Sequence, residues 1–321
     1  MKAVLYDKKS LPEKLKYCEI EKPLPKENEI LVKIFATSIN AADYRSMKAG
    51  IIPKSKIFGA DIAGVVESVG KNISRFKPGD EVIGDLSNHG FGGFAEYAVA
   101  PEETLVFKPE NISFEEAGAL PLAGITALQA LRDEGKIQKD QKVLIVGGSG
   151  GVGTFAVQLA KHFGATVTCV CSSKNVEEMK ILGADDVIDY AKDSFLKNIG
   201  VYDLILAVNG NYSLSSYKKC LKEKGRCVLV GGALVQVIKA LLFGKFLSLG
   251  GKKIRSLYAK SNSRDLDFLA KLTSEKKIRP VIEKIYPLEK TPEAMHSVSE
   301  GHARGKVIIK VNSLCFDKFF V

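Results

Sequence analysis

A glycine-rich segment, GGSGGVG at residues 147–153, follows the apolar run VLIV and precedes the helical pattern TFAVQLAKHFGA. Its spacing matches G-x-G-x-x-G at Gly148, Gly150 and Gly153. Glycine permits a tight turn and close backbone approach, and the start of the next helix offers free N–H groups and partial positive charge. The order strand, loop, helix therefore predicts a pyrophosphate-binding loop, with a purely structural glycine turn as the alternative. The predicted loop residues are Gly148, Ser149, Gly150, Gly151, Val152 and Gly153.

The residues after the next apolar run, TVTCVC, indicate which nucleotide the loop would bind. In an NAD site an Asp or Glu stands here and binds the ribose 2′-hydroxyl. This chain has Ser172, Ser173 and Lys174 instead, so two hydroxyl groups and one cation could receive a 2′-phosphate. The pattern favours NADPH, although Lys174 could also be a solvated loop lysine.

The order of the predicted elements indicates two domains in an α/β fold. The first 120 or so residues contain short Val/Ile-rich runs bounded by Gly, Pro and Asn, which are typical of a barrel-like β region. From Gln141 apolar runs alternate with helical patterns, as in a doubly wound parallel sheet. The segment after Ser261 is similar to the β-rich part again. We therefore predict a β-rich catalytic domain formed by residues 1–121 and 262–321, interrupted by a dinucleotide-binding domain at residues 122–261.

Composition excludes several other classes of protein. The 321 residues are 45% hydrophobic and 26% charged, which is ordinary for a globular enzyme. The apolar stretches near residues 230–251 are broken by Lys239 and Lys245, so no membrane span is predicted. The opening MKAVLYDKKS lacks an apolar signal core, and the six cysteines are scattered without a CxxC pair; both observations favour the cytoplasm. The net charge of +10 permits nucleic-acid binding, but no RNA-binding signature accompanies it, so nucleic acid is not expected as a partner.

Several segments together resemble the medium-chain dehydrogenase/reductase family, specifically its zinc-independent quinone oxidoreductase branch. These segments are SINAADYRSMKAG, GADIAGVVESVG, FKPGDEVIG, GGFAEYAVAP, ALPLAGITALQAL, the glycine segment, LGADDVIDY and EGHARGKVIIKV. The resemblance covers about 310 residues in order. It implies a Rossmann doubly wound sheet inserted in a GroES-like domain.

Comparison of the motifs with those of zinc alcohol dehydrogenases predicts that this chain holds no metal. Those enzymes carry a Cys early in the chain, then Gly-His-Glu, then a four-Cys lobe. Here SINAAD has no Cys, the next motif reads Gly59-Ala60-Asp61, and the lobe is missing. Without a Lewis acid, oxidation of an alcohol is disfavoured. The resemblance instead implies transfer of a hydride from NADPH to a small-molecule quinone or another α,β-unsaturated carbonyl.

The resemblance also implies roles for individual residues. Asn40 and Asp43 match positions near the nicotinamide and the acceptor, and Tyr44 could donate a proton to a developing oxyanion. Three structural alternatives remain open: Asn40 as a turn residue, Asp43 as a helix N-terminal carboxylate, and Tyr44 as a packed core residue, with water as the proton source. The further positions implied for the cofactor are Thr126, Tyr190, Gly231, Gly232 and Lys306.

Two other functions remain open at this point. An enoyl-thioester or alkenal reductase could use the same fold, because variable loops form the acceptor pocket. A non-catalytic NADPH-binding protein with a structural or RNA-binding role is the alternative that is not an enzyme. The family resemblance further predicts a homodimer in which the strand near IRSLYAK pairs with its copy.

Overall fold

The computed structural model describes residues 1–6, 15–208, 212–231, 251–301 and 303–312. Gly232, most of the apolar segment around residues 230–251 and nearly all of the C-terminal tail lie outside the described residues. The chain divides into two compact units. The first comprises the described residues of Met1–Leu122, Ser261–Ser274 and Ile282–Val321, and the second comprises those of Ala123–Lys260 and Glu275–Val281.

The first unit is rich in antiparallel sheet. One pair is formed by β1 (Lys2–Leu5) and β2 (Lys16–Glu19). A seven-stranded sheet has the order β14-β15-β3-β4-β5-β7, and β6 pairs with β3. Its strands are β3 (Glu29–Ile39), β4 (Asp61–Val69), β5 (Glu81–Asp85), β6 (Tyr97–Pro101), β7 (Leu105–Phe107), β14 (Ile282–Pro287) and β15 (Lys306–Lys310).

The central strand of this sheet, β3, explains how the C-terminal segment joins the N-terminal one. β3 pairs antiparallel with β4 on one side and with β15 on the other, where Val307 lies opposite Ile39. Its side chains are almost all buried, and Ile30, Val32 and Ile34 form part of a core with residues of β4 and β5. The final strand of the described chain thus completes the sheet that the first third of the chain begins.

The second unit is a six-stranded sheet in which every pairing is parallel. Its strand order is β10-β9-β8-β11-β12-β13. The strands are β8 (Lys142–Val146), β9 (Thr166–Cys171), β10 (Asp186–Asp189), β11 (Tyr202–Val208), β12 (Leu221–Val230) and β13 (Lys253–Ser256). Counted within the unit, this order is 3-2-1-4-5-6, the doubly wound Rossmann order. The chain reverses direction across the sheet beside β8, and ligands of such sheets bind at the carboxyl ends of the strands at this point.

Proline sets one of the helix boundaries. The helical segment after Ser113 divides into α2 and α3, because Pro121 has no N–H to continue the first helix and instead begins the second. None of the helices in the described ranges is long and apolar enough to cross a membrane. The helices are α1 (Ala41–Lys48), α2 (Phe114–Ala119), α3 (Pro121–Gln129), α4 (Gly151–His162), α5 (Val176–Ile181), α6 (Leu214–Cys220), α7 (Ser263–Ser274) and α8 (Thr291–Ser299).

Candidate functional site

The glycine segment connects β8 to α4, and packing explains two of its glycines. A Cβ atom built on Gly148 would lie 2.1 Å from the Sγ of Cys169, on the neighbouring strand β9. A Cβ on Gly153 would lie 2.3 Å from the carbonyl oxygen of Gly147. Gly147, which the sequence motif did not single out, has a φ of +79° and makes the turn itself. These three glycines therefore fold the loop tightly against the sheet and the helix.

Gly150 differs from them, because the space beside it is open. It precedes the first residue of α4, and a Cβ there would meet its nearest heavy atom, the oxygen of Gly147, at 3.7 Å. The first turn of the twelve-residue helix carries no acidic side chain. Its initial N–H groups and partial positive charge can therefore receive an anion across this opening. A pyrophosphate group fits the arrangement.

The carboxyl end of β9 carries the residues predicted for the 2′-phosphate. Ser173 and Lys174 are exposed, and Ser172 precedes the short 3-10 turn that contains them. Tyr190 lies next to this end, since its N–H donates to the carbonyl oxygen of Cys171 at 3.1 Å. Its side chain is 56% exposed. One hydroxyl, one ammonium and one accessible aromatic ring therefore lie at the same edge of the sheet.

A carboxylate that the sequence motif missed also lies at this edge. Asp189, the last residue of β10, accepts a hydrogen bond from the Oγ of Ser173 at 2.6 Å. That hydrogen bond lowers the pKa of Asp189, so the group is ionised at neutral pH. Lys192 offsets part of the charge, with its Nζ at 3.6 Å. The motif examined only the residue after β9, whereas this carboxylate arrives from the adjacent strand.

A buried polar cluster lies in the first unit at the end of the central strand β3, where the neighbouring strands β4 and β15 begin. Asn40 follows the end of β3, and Asp61 and Lys306 are the first residues of β4 and β15. Because β3 runs antiparallel to both neighbours, its end meets the beginnings of the two flanking strands. The side chains of Ser38, Asn40, Asp61 and Lys306 thus form one group, here called the Asp61 cluster.

Hydrogen bonds join the members of the Asp61 cluster directly. The Nδ2 of Asn40 donates to Oδ2 of Asp61 at 2.8 Å, and the hydroxyl of Ser38 donates to the same oxygen. The Nζ of Lys306 lies 2.6 Å from Oδ1 of Asn40 and 3.4 Å from Oδ2 of Asp61. The other oxygen of Asp61 accepts from the N–H of Leu122 at 2.8 Å. Asp61 was not among the predicted site residues, although it lies at the centre of these contacts.

Two further buried carboxylates lie near Asp61. Asp43, in the first turn of α1, accepts from the N–H groups of Asn40 and Gly59, at 2.8 and 3.2 Å. Burial raises its pKa to about 7, and the charge of Asp61 adds to that effect. Asp85 is paired with Asp61 across β4 and β5, and burial followed by the charge of Asp61 raises its pKa to about 6.

The remaining predicted residues occupy separate positions. Tyr44 is half-buried on α1 and packs against the core that includes Met47, with the cationic groups of Arg45 and Lys48 at 5.8 and 5.5 Å from its ring. Thr126 is half-buried within α3. Gly231 follows β12 with a φ of +65°.

Two family models match the chain. Residues 26–110 match the alcohol dehydrogenase GroES-like domain, and residues 182–309 match a domain described as zinc-binding dehydrogenase. Within the described residues, no group of three or more His, Cys, Asp or Glu side chains could hold a metal ion.

Three similar proteins cover most of the chain. A chloroplast envelope quinone oxidoreductase homolog of Arabidopsis thaliana is 35% identical over 311 residues, which are 92% of this chain and 94% of that protein. The human mitochondrial NAD(P)H oxidoreductase RTN4IP1 is 33% identical and covers 88% of this chain and 82% of its own length. The 2-methylene-furan-3-one reductase of Solanum lycopersicum is 34% identical, covering 88% and 72%.

A solved structure extends the similarity to three dimensions. The quinone oxidoreductase from Coxiella burnetii superposes with a TM-score of 0.88 at 32% identity, covering 97% of this chain and 99% of that one. The chain thus has a GroES-like domain and a Rossmann domain, and it belongs to the medium-chain dehydrogenase/reductase family. Within that family it falls in the quinone oxidoreductase-like group.

Proposed function

We propose that this protein is an NADPH-dependent oxidoreductase that reduces a quinone or another α,β-unsaturated carbonyl without zinc. The observation that carries the proposal is the opening at Gly150 at the start of α4, next to a β9 end that presents Ser173 and Lys174. Relatives whose names state such a reaction, among them quinone oxidoreductases and a furanone reductase, support this class of reaction. NADPH supplies the hydride when it is bound.

The preference for NADPH over NADH rests on a balance of charges at the end of β9. Lys174 is exposed and can pair with a 2′-phosphate, and the hydroxyl of Ser172 can donate to it, as can that of Ser173 once it leaves Asp189. Asp189 opposes that preference, because its carboxylate accepts the hydroxyl of Ser173 and would repel a phosphate. Lys192 beside Asp189 reduces the repulsion. We therefore expect Lys174 to make the largest single contribution to selectivity.

The proposal of a zinc-free reaction rests on the residue types in the Asp61 cluster and at its sequence neighbour Ala60. Asn40 is a carboxamide and Ala60 has no ligating atom, so neither offers the thiolate or imidazole that zinc prefers. The amide of Asn40, held between Asp61 and Lys306, provides a hydrogen-bond donor instead. Such a donor stabilises an oxygen that becomes negative as a carbonyl acceptor is reduced. The proton that completes the reduction would come from water or from Tyr44.

A turnover assay distinguishes a reductase that acts on an enone from the non-catalytic alternative. The furanone reductase among the relatives favours an α,β-unsaturated ketone or aldehyde over a thioester of a long acyl chain. A protein that binds NADPH but reduces no acceptor, and whose RNA binding is weakened by salt and displaced by NADPH, would instead be the non-catalytic alternative.

Calorimetric titration with NADPH and NADH tests the cofactor proposal. The wild type should bind NADPH at least tenfold more tightly than NADH. Lys174→Ala should weaken NADPH binding by roughly 10- to 100-fold, about 1.4–2.8 kcal/mol, and leave NADH binding unchanged. Lys180→Ala is the matched control, because Lys180 is an exposed lysine of α5 paired with Glu177. Equal binding of the two nucleotides by the wild type would contradict the proposal.

The homodimer and the cytoplasmic location are also proposals. β13 (Lys253–Ser256) is one of the two edge strands of the parallel sheet within the described residues, and an edge strand can pair with its copy. We expect a dimer in light scattering at micromolar concentration, and a monomer there would contradict it. Because two of the named relatives are described as chloroplast and mitochondrial proteins, the cytoplasmic location is tested by fractionation of the native cells.

A further inference from the structure

The carboxamide of Asn40 is held between two groups of opposite charge. On one side its Nδ2 contacts a carboxylate, that of Asp61, and on the other its Oδ1 contacts an ammonium, that of Lys306. Asp61 is fully buried and Lys306 is 2% exposed, so water does not screen either contact. Asn40 itself retains 7% exposure. It is therefore the member of this trio that a ligand can reach.

The charges determine which way the amide of Asn40 points. A carboxylate only accepts hydrogen bonds and an ammonium only donates them. Rotating the amide by half a turn would set its oxygen against Asp61 and its NH2 against Lys306, so both contacts would become repulsive. The oxygen and the nitrogen of an amide have similar shapes, but here the charges of the two partners decide which atom faces which partner.

The fixed amide has one donor left for a ligand. The second hydrogen of Nδ2 has only a long contact, 3.5 Å, to the carbonyl oxygen of Ser38. A shorter and straighter partner would replace this contact easily. An oxygen that gains negative charge during reduction is such a partner, because hydrogen bonds to an anion are shorter and stronger than neutral ones.

We propose that Asp61 and Lys306 are positioning residues that hold the amide of Asn40 in one orientation, so that its free N–H contacts the carbonyl oxygen of the acceptor. This inference rests on the proposed function and names the residue that touches the acceptor. Asp61 and Lys306 act through Asn40 and do not touch the acceptor themselves. If the amide could rotate freely, it would present its oxygen to the acceptor for part of the time and repel it.

The test is a double-mutant cycle on kcat with NADPH and a small enone. Asn40→Ala removes the donor and should lower kcat by roughly 100-fold, as loss of an oxyanion donor does. Asp61→Asn alone would leave a buried ammonium without its carboxylate, so the main variant is the neutral pair Asp61→Asn/Lys306→Met, which removes both charges. This pair should lower kcat by roughly tenfold, measured at saturating NADPH so that a change in cofactor affinity does not enter the comparison.

The decisive step introduces the neutral pair into the Asn40→Ala background. If Asp61 and Lys306 act through Asn40, the pair then lowers kcat no further. A further loss of several-fold would show that the charge of Lys306 acts on the reaction directly, and that would overturn the proposal. Glu81→Gln/Lys108→Met is the matched control, because Lys108 is another buried lysine of this unit whose ion pair, at 2.8 Å, lies outside the Asp61 cluster. Its kcat should match the wild type.

A second readout needs no turnover, so that failure of the proposed function remains distinguishable. In protein labelled with ¹⁵N-asparagine, the side-chain NH2 signal of Asn40 is identified by its loss in Asn40→Ala. We expect this signal to be protected from exchange with water in the wild type and unprotected in the neutral pair. Equal protection in both would overturn the positioning role even if the enzyme is active. A wild type without NADPH-dependent turnover, but with this difference in protection, would contradict the proposed function and leave the orientation by Asp61 and Lys306 supported.

Discussion

The substitution Gly150→Ala should separate binding of the nucleotide from folding. Gly150 has a φ of −81° and a ψ of 175°, which alanine adopts without strain. The new methyl group would meet its nearest heavy atom at 3.7 Å, an ordinary van der Waals contact. Alanine is poorer than glycine at a helix N-cap, but it also reduces the entropy of the unfolded chain. These effects offset one another, so the free energy of unfolding should change by less than about 0.5 kcal/mol.

Binding should respond much more strongly than stability. The methyl group would stand in the opening through which a phosphate reaches the first N–H groups of α4. A carbon atom there keeps a phosphate oxygen beyond hydrogen-bond distance of those groups. We expect the Kd for NADPH to rise by roughly 10- to 100-fold, about 1.4–2.8 kcal/mol.

The assay combines calorimetric titration with thermal unfolding, and Gly148→Ala provides the contrast. Its methyl group would lie 2.1 Å from the Sγ of Cys169, so overpacking should cost about 1–3 kcal/mol of stability. The reasoning is refuted if Gly150→Ala binds NADPH as the wild type does. It is also refuted if Gly150→Ala destabilises the protein as much as Gly148→Ala.

Three further predictions concern Cys169, Asp85 and Tyr190. Cys169→Ala should restore part of the stability lost in Gly148→Ala, because it removes the clashing sulfur, and additive unfolding energies in a double-mutant cycle would argue against the clash. Burial raises the pKa of Asp85 to about 6 from its usual value of about 3.9, so the folded protein binds this proton more tightly than the unfolded chain does. The Oδ2 of Asp85 also has no hydrogen-bond partner among the described residues. In urea, the free energy of unfolding of the wild type should therefore fall by up to about 3 kcal/mol relative to that of Asp85→Asn between pH 4 and pH 7. Parallel plots of unfolding free energy against pH for the two proteins would contradict this. Tyr190→Ala should weaken NADPH binding several-fold without changing the Tm, since the ring is exposed, and a Tm shift of several degrees would instead indicate a packing role.

The strand, turn and helix around the glycine segment were predictable because their residues are close together in the sequence. The motif, the preceding apolar strand and the following helix lie within about thirty residues, and the structure places them as a β-strand, a turn and an α-helix. What the motif did not provide is the reason for each glycine. Gly148 is required by a sulfur atom on β9, which is a contact between strands that no local pattern reports.

The Asp61 cluster could be predicted only in part. Asn40 and Lys306 were both assigned to the site, but separately, one to the acceptor and the other to the cofactor, although their side chains are in contact. They are 266 positions apart and meet because β3 lies between β4 and β15. Asp61 was noted only as a residue that replaces a zinc-site motif. The order of strands in the sheet places Asp61 at the centre of the cluster, and no local sequence pattern reports that order.

The same limit explains why Asp189, the carboxylate that contacts Ser173, was missed. The pattern after β9 shows no acid, and this part of the prediction describes the sequence correctly. Asp189 reaches Ser173 from the end of β10 because the two strands are parallel neighbours and end at the same edge. The proposed preference for NADPH therefore depends on residues that follow two strands, and a motif that covers only one strand includes half of the charges.

The most direct test of the central claim is transfer of deuterium from cofactor to acceptor in protein freed of metal. The protein is dialysed against a chelator, its zinc content is measured, and it is mixed with NADPH deuterated at the transferable C4 position and a small enone. The account predicts turnover without zinc, a product with one deuterium on the β-carbon, and a much lower rate with NADH. Turnover that disappears with the metal and returns on adding zinc, or a reduced product without deuterium, would contradict it.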